Sequence, residues 1–348
     1  MEMELRENVS LAEMTTFRLG GVAKVVITCT TVEDIKMALA TARERHLSWY
    51  VIGGGSNMLV SDAGYGGVII HIALPNYSFA QEENTAHIGT SKEGVVVAVA
   101  EAGVTWDSFV QESVSRELWG LENLAGIPGT VGAAPVQNIG AYGVETCDTL
   151  AWVEALHTGT NELQRFTNDQ CGFGYRESFF KHHPEYILVR AAFNLSTIPN
   201  PRISYADIAA KQKEGVSLHT PQSIADVVRE IRLRKFPDLS KTGTAGSFFK
   251  NPVISKERFE ELRQMYADLP GYVSGDEIKV SLAWILDKAL QLKGFSHGSA
   301  RLFEKQPLVL VAEEGSTASD VEALVAEVSK KVLAASGIVI EREVRSLS

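Results

Sequence analysis

Cysteine is scarce and poorly placed for cross-linking: Cys29, Cys147 and Cys171 are three in number and widely spaced. An odd, scattered set makes neither a disulfide framework nor a zinc site, and it fits a reducing cytoplasm. Long apolar runs are missing as well. The cleanest, Val95 to Ala100, is far too short to cross a bilayer. The opening Met1-Glu-Met-Glu-Leu-Arg-Glu is acidic without an apolar core, so no signal peptide is expected. Positive charge is in deficit. Lys and Arg number 33 against 43 Asp and Glu, a formal net charge of −10, which argues against a nucleic-acid or anionic-membrane surface. A few basic side chains in one cleft could still hold an anionic small molecule. No internal repeat is visible, which excludes a solenoid. Gly-x-Ser-x-Gly, His-Glu-x-x-His and any cysteine–histidine pairing are absent, and the eight histidines are scattered. Hydrophobic residues at 45% and charged residues at 22% over 348 positions describe a soluble globular chain of two or three domains.

What the chain does have is glycine in clusters. Gly120 to Gly143 packs glycines and small residues around Pro128 and Pro135 with almost no charge. Gly53-Gly54-Gly55-Ser56-Asn57 lies upstream, and Gly243-Thr244-Ala245-Gly246-Ser247-Phe248-Phe249 lies downstream. Glycine allows positive φ and close approach of the backbone to a ligand, but it also marks ordinary turns. Composition therefore leaves a turn-rich loop and a cofactor cradle both open. A dinucleotide fingerprint needs its glycines directly after the first strand and opening a helix. Here they follow the second strand, and Met58 onward shows no helical stripe. No Gly-Lys-Ser/Thr follows, so a P-loop is excluded. A nest of backbone N–H groups suited to a pyrophosphate remains.

Read in order, Lys24–Thr28 is a strand, Thr30–His46 a helix with Thr30 and Glu33 at capping-box spacing, and Trp49–Ile52 a strand entering the glycine turn. Strands then dominate to Leu195, at Val68–Ile72, Val95–Ala100, Trp152–Leu156 and Ile187–Phe193, with a helix at Trp106–Glu117. Pro199-Asn-Pro-Arg is a break. Thr220-Pro221 opens a helix with Pro at its first position. Arg229, Arg232, Arg234 and Lys235 crowd its end, as cations at a helix C-terminus or as an anion clamp. A helix near Ile278–Leu290 and a strand at Leu308–Val311 follow. A last helix begins at Ser319 with Glu322 as its cap and ends at Gly337, and Ile338–Arg345 alternates like a strand.

Three groups have residue types suited to catalysis. Tyr175-Arg176-Glu177-Ser178 is a polar knot beside aromatics, whose plain reading is a buried Arg–Glu177 pair. Ser247 follows Gly246 and could be a hydroxyl presented on a turn or only a turn filler. Glu341 and Glu343 alternate with Arg342 on one face, as surface charges would.

Together, several blocks closely resemble one family, UDP-N-acetylenolpyruvoylglucosamine reductase. They are Thr16-Phe-Arg-Leu-Gly-Gly-Val-Ala, Gly53–Asn57, Leu124–Gly143, Phe173-Gly-Tyr-Arg-Glu-Ser, Gly246-Ser-Phe-Phe-Lys-Asn-Pro and Glu343-Val-Arg, and they run along nearly the whole chain. The resemblance implies an α+β fold: a two-subdomain FAD-binding fold of the vanillyl-alcohol-oxidase type plus a C-terminal α+β substrate-binding domain. The boundaries expected are 1–72, with 338–348 adding a strand to the active site, then 73–215, then 216–337. It implies noncovalent FAD, NADPH as hydride donor, and a sugar-nucleotide substrate carrying an enolpyruvyl group. It further implies a cytoplasmic monomer of peptidoglycan precursor synthesis with no metal, nucleic-acid or membrane partner.

By the same resemblance Arg176, Ser247 and Glu343 are catalytic. Gly53, Gly54, Gly55, Ser56, Asn57, Gly126, Ile127, Pro128, Gly129, Gly132, Ala133, Gln137, Asn138, Gly140, Ala141 and Tyr142 hold the cofactor. Tyr175, Tyr205, Arg232, Lys235, Asn251 and Gln306 hold the substrate, with Tyr205 in a loop, Ser204-Tyr-Ala-Asp-Ile, that marks one subtype. Arg342 departs from the proline common at that position. An FAD-dependent oxidase of an alcohol or lactone, on the same cofactor fold, is the alternative. Many such oxidases tether the flavin through a histidine in the glycine turn, where this chain has Ser56 and Asn57. A sugar-nucleotide-binding protein without activity would not need Arg176, Ser247 and Glu343 together.

Overall fold

The computed structural model describes residues 4–81 and 93–348, so the 82–92 part of the expected 73–215 segment lies outside the described residues. The chain divides into two compact units. The first comprises residues up to Val9, Ala23–Gly54 and Gly66–Arg232; the second comprises Ser10–Val22, Gly55–Tyr65 and Leu233–Ser348.

In the first unit the strand–helix–strand reading of the N-terminal region holds. A four-stranded sheet has the order Glu4–Ser10, Val22–Cys29, Tyr65–Ile72, Trp49–Ile52, the last two parallel. The Val32–Glu44 helix buries Ile35, Ala38, Leu39 and Ala42 against Val25, Ile27, Val68 and Ile70. Its cap is one residue later than the spacing indicated. Thr31 accepts from Asp34 N, and the Asp34 carboxylate accepts from the backbone of both Thr30 and Thr31, so the box is Thr31–Asp34.

A second sheet of this unit has five antiparallel strands, in the order Leu163–Thr167, Leu150–His157, Tyr186–Ser196, Val95–Glu101, Tyr77–Gln81. The helices Trp106–Ser115 and Pro221–Lys235 contribute Trp106, Phe109, Val110, Ile224, Val228 and Ile231 to the core with Ala98, Ala100 and Phe193. The fully buried Trp106 sends its indole N–H to the Leu124 carbonyl at 3.0 Å, which pins the start of the long glycine stretch.

The second unit has two three-stranded sheets. One is formed by Val253–Ser255, Glu277–Val280 and Gly271–Ser274; the other by Ser296–His297, Ala300–Leu302 and Leu310–Ala312. Helices Lys256–Met265 and Ala318–Ser336 complete it, and Met58–Val60 pairs in parallel with Arg345–Leu347. Phe17, Leu19 and Leu59 join Phe248, Phe249, Leu324 and Val328 in its core, so residues 10–22 and 55–65 belong here rather than with the rest of the expected 1–72 segment. The Ala318–Ser336 helix is capped by Thr317 with Asp320, not by Ser319 with Glu322. Ser319 instead donates its N–H and hydroxyl to Asp62, which also accepts from Ala318 N at 2.7 Å. Burial opposes the charge on Asp62, but the bonds from Ser319 and Ala318 prevail and hold its carboxyl below the ordinary value. That contribution to stability is present above the ordinary carboxylate pKa and lost as pH falls through the lowered one.

Two further expectations are corrected. The 278–290 region is a strand, Glu277–Val280, followed by a short turn of helix and a π turn at Ile285–Ala289. Residues 338–344 are not a strand: they make one isolated antiparallel bridge, Arg342 to Phe249, and the strand is Arg345–Leu347.

Candidate active site

In the first unit, residues far apart in sequence form one bare-backbone surface. Gly53 and Gly54 leave the Trp49–Ile52 strand and meet Gly129 and Thr130. A Cβ on Gly53 would lie 2.5 Å from Thr130 Oγ1, and one on Gly54 would lie 3.1 Å from Gly129 Cα. Only glycine permits that approach, and Gly126 and Gly129 also have φ of +70° and +123°. The N-terminus of the Trp106–Ser115 helix shapes the loop. Trp106 N donates to Gly129 O at 3.0 Å, and the Asp107 carboxylate accepts from Gly126 N at 2.6 Å. Residues 126–130 remain half-buried, with glycine at both ends of the Gly126–Gly129 turn. The close approach of Gly53 and Gly54 to Gly129 and Thr130 leaves a largely backbone-lined path, which fits a long flat cofactor with polar edges.

The basic helix end takes neither of the two roles offered for it in full. Arg229 pairs with Asp107 at 2.9 Å, and half-buried Arg232 donates from Nε to Gly126 O at 2.9 Å. Both arginines therefore brace the glycine loop through its Gly126 peptide. Tyr142 lies near Arg232; burial pushes its phenol up to about 12, with Arg232 pulling the other way. Its ring stands edge-on to Tyr205 at 5.3 Å, and Tyr205 precedes the Ala206–Lys213 helix. Asp107 carried no sequence signal beyond its place in a first helical turn.

The Arg176 knot sits in the same unit. Arg176 has φ of +57°, its Nη2 donates to Gly140 O at 2.9 Å, and its guanidinium lies 5.4 Å from the Tyr175 ring. The Glu177 carboxylate is bonded to Lys181 at 2.7 Å and to His182 at 2.8 Å. One cofactor assignment is corrected. Asn138 is 0% exposed, and its amide donates to Glu145 and to Gly174 O while accepting from Cys147 N. Its side chain therefore holds protein rather than a ligand. Gly132 is likewise buried, packed directly on Ala102, whereas Ala133 is exposed and Ile127, Pro128, Gln137 and Ala141 are half-buried.

In the second unit, Ser247, Glu343 and Asn57 come together through the backbone. Gly246 turns with φ of +76°, Ser247 bridges to Val309, and Glu343 N donates to the neighbouring Phe248 O at 2.8 Å. Asn57 Nδ2 donates to Glu343 O at 3.2 Å, while Arg345 N returns to Asn57 O. Gln306 stands beside the Ser247 bridge, its carbonyl accepting from Val309 N at 2.9 Å. Asn251 accepts from Leu282 N at 3.1 Å, and Lys235 is half-buried at its helix end. The two glutamates diverge: Glu341 is exposed and pairs with Lys250 at 3.2 Å, while Glu343 is half-buried. Arg342, in place of a proline, forms a two-pronged pair with Glu322 of the Ala318–Ser336 helix.

Gly55 is structural. At φ of +59° it is buried, accepts from Thr16 N, and a Cβ there would overlap the Met14 carbonyl oxygen. Gly55→Ala should cost about 2 kcal/mol or more, from strain and overlap combined. Thermal denaturation checks this, and an unchanged midpoint would contradict it.

Residues 23–167 match the family described as FAD binding domain, which with the cradle above defines a flavoprotein. Residues 238–347 match the C-terminal domain of UDP-N-acetylenolpyruvoylglucosamine reductase. Relatives of that name include the Pseudomonas aeruginosa protein, 38% identical over 346 residues with 99% of each chain covered. The Pasteurella multocida protein is 36% identical over 339 residues, with 97% of this chain and 95% of that one covered. The crystal structure of the reductase from Thermus caldophilus matches with a TM-score of 0.67 at 26% identity, all of both chains covered. The chain belongs to the UDP-N-acetylenolpyruvoylglucosamine reductase family.

Proposed function

We propose that this protein reduces the enolpyruvyl group of UDP-N-acetylglucosamine enolpyruvate to give UDP-N-acetylmuramate, a step of peptidoglycan precursor synthesis, with NADPH as reductant. The full-length likeness to reductases of that name carries this reading. Bound FAD supplies a hydride relay between NADPH and the enolpyruvyl double bond. Gly53, Gly54 and the Gly126–Thr130 loop would hold it through backbone groups, with Tyr142 and residues of 133–141 other than Asn138 beside it.

The remaining chemistry belongs to side chains. Hydride addition at the terminal vinyl carbon puts negative charge on the carbon beside the carboxylate. The Arg176 guanidinium stabilises that charge, a service worth most in a water-poor site. The Ser247 hydroxyl delivers the proton that completes the reduction. A serine is a weak acid, but the partner here is strongly basic. Glu343, braced by Phe248 and Asn57, orients the reacting group. Lys235, Asn251 and Gln306 serve the nucleotide diphosphate and its neighbours, and Tyr175 and Tyr205 line the substrate. Arg232, whose Nε donates to Gly126 O, stands at the substrate side of the same loop. The protein works as a cytoplasmic monomer.

Lys235→Ala tests the anion contact. Affinity for the sugar nucleotide should fall ~10-fold or more, the worth of a charged hydrogen bond, while flavin content stays full. Equal loss of flavin and substrate would overturn the assignment. The purified protein should be yellow, and denaturation should release FAD without a covalent adduct; a colourless protein that takes up no FAD would overturn the function.

A further inference from the structure

We propose that Asn138 is a positioning residue that fixes the Arg176 guanidinium, with Gly140 as the bare surface on which it rests. This builds on the assignment of Arg176 to the substrate carboxylate. Arg176 has a long, flexible side chain and a left-handed backbone, φ +57°, a conformation that costs energy for any residue with a Cβ. Something must hold both ends. Asn138 touches both.

Its Nδ2 donates to Gly174 O at 3.1 Å, and Gly174 closes the turn around Tyr175 and Arg176 by exchanging backbone bonds with Glu177. Its own carbonyl accepts from Arg176 Nη1 at 3.5 Å, two residues before the stronger contact of Nη2 with Gly140 O at 2.9 Å. The second Nδ2 proton goes to Glu145 Oε2 at 2.7 Å, and Cys147 N donates to Oδ1 at 3.0 Å. Asn138 is itself left-handed at φ +45°, which asparagine tolerates better than most residues. Lys181 closes the far side, donating to Arg176 O at 2.7 Å.

Gly140 sets the distance. A Cβ there would come within 2.8 Å of Glu145 Cγ, 3.1 Å of Val144 O and 3.2 Å of Arg176 Nη1. A methyl at this position would push the guanidinium off the surface that locates it. Gly140 is not among the positive-φ glycines, so its dihedral does not oppose alanine, and Val144 O and Glu145 Cγ must give way by a small shift.

Calorimetric titration of the oxidised, FAD-loaded enzyme separates positioning from general damage. The probes are UDP-N-acetylglucosamine enolpyruvate, which carries the carboxylate, and UDP-N-acetylglucosamine, which lacks it. Asn138→Gly keeps the positive φ and removes the amide; Gly140→Ala adds the methyl. In each, affinity for the carboxylate ligand should fall ~10-fold or more, the worth of a charged hydrogen bond, while affinity for UDP-N-acetylglucosamine stays unchanged. In an Arg176→Ala background neither substitution should lower the first affinity further. Equal loss of both affinities, or additive losses, would overturn the positioning role. If Arg176→Ala weakens the carboxylate ligand while both other variants bind it normally, the proposal alone fails. If Arg176→Ala itself binds normally, the functional reading of Arg176 falls and takes the proposal with it. Should Asn138→Gly lose its flavin, Gly140→Ala decides.

Discussion

Ser247→Ala leaves reduction of the bound flavin by NADPH at the wild-type rate and slows its reoxidation by the enolpyruvyl substrate ~10²–10⁴-fold, the usual worth of a positioned acid. The turn does not depend on the hydroxyl. Gly246 supplies the positive φ, Phe248 N donates to Leu308 O at 2.7 Å, and Phe248 and Phe249 anchor the segment in the core. Alanine therefore removes one oxygen and little else. The substrate should still bind, so kcat falls while KM changes little. Anaerobic stopped-flow measurement of the two half-reactions reads this directly. Normal reoxidation would remove Ser247 from the chemistry, and equal loss in both halves would point to damaged folding.

Arg176→Ala should slow the same half-reaction ~10²–10³-fold, as expected for one electrostatic donor facing developing charge. It should also weaken substrate binding, because the carboxylate is charged before hydride arrives. Arg176→Lys recovers the charge but not the planar fork that bonds Gly140 O while leaving other nitrogens directed elsewhere, so its rescue should be partial. Full recovery by lysine would mean that charge alone suffices and that the fixed geometry around residue 140 is irrelevant to rate. Flavin reduction by NADPH should be near normal in both variants.

Much of this was legible in the sequence where the signal was local. The Val32–Glu44 helix and the strands on either side follow from apolar periodicity and a glycine turn. Its cap slipped by one because Thr30 and Thr31 stand beside Glu33 and Asp34, and both threonines end up bonded to Asp34. In the last helix the same ambiguity resolved toward Thr317, since Ser319 is drawn to Asp62 from 257 residues away in sequence. The 338–344 alternation read burial correctly and pairing wrongly. Ile338, Ile340 and Val344 are buried, yet the segment bonds to its neighbour only around Phe248–Lys250. Alternation reports which side faces the core and says nothing of whether a partner strand runs alongside.

The site was legible by family resemblance more than by chemistry. Residue type alone left Ser247 open between a presented hydroxyl and a turn filler, and Arg176 between a catalytic group and a buried ion pair. What the sequence could not show was the division of labour among neighbours. Asn138 was expected at the cofactor by the family resemblance, and its partners Gly174, Glu145 and Cys147 are set by tertiary folding. Arg229 and Arg232 resembled an anion site because they cluster; tertiary folding adds a bracing role, Arg229 pairing with Asp107 and Arg232 Nε donating to the Gly126 carbonyl.

The most direct test is anaerobic and needs only the unmodified protein. NADPH is added until the yellow colour is bleached, excess nucleotide is removed, and one equivalent of UDP-N-acetylglucosamine enolpyruvate follows. The account predicts that the oxidised flavin spectrum returns in a single turnover with one equivalent of UDP-N-acetylmuramate formed. A flavin that stays bleached until oxygen is admitted would contradict it.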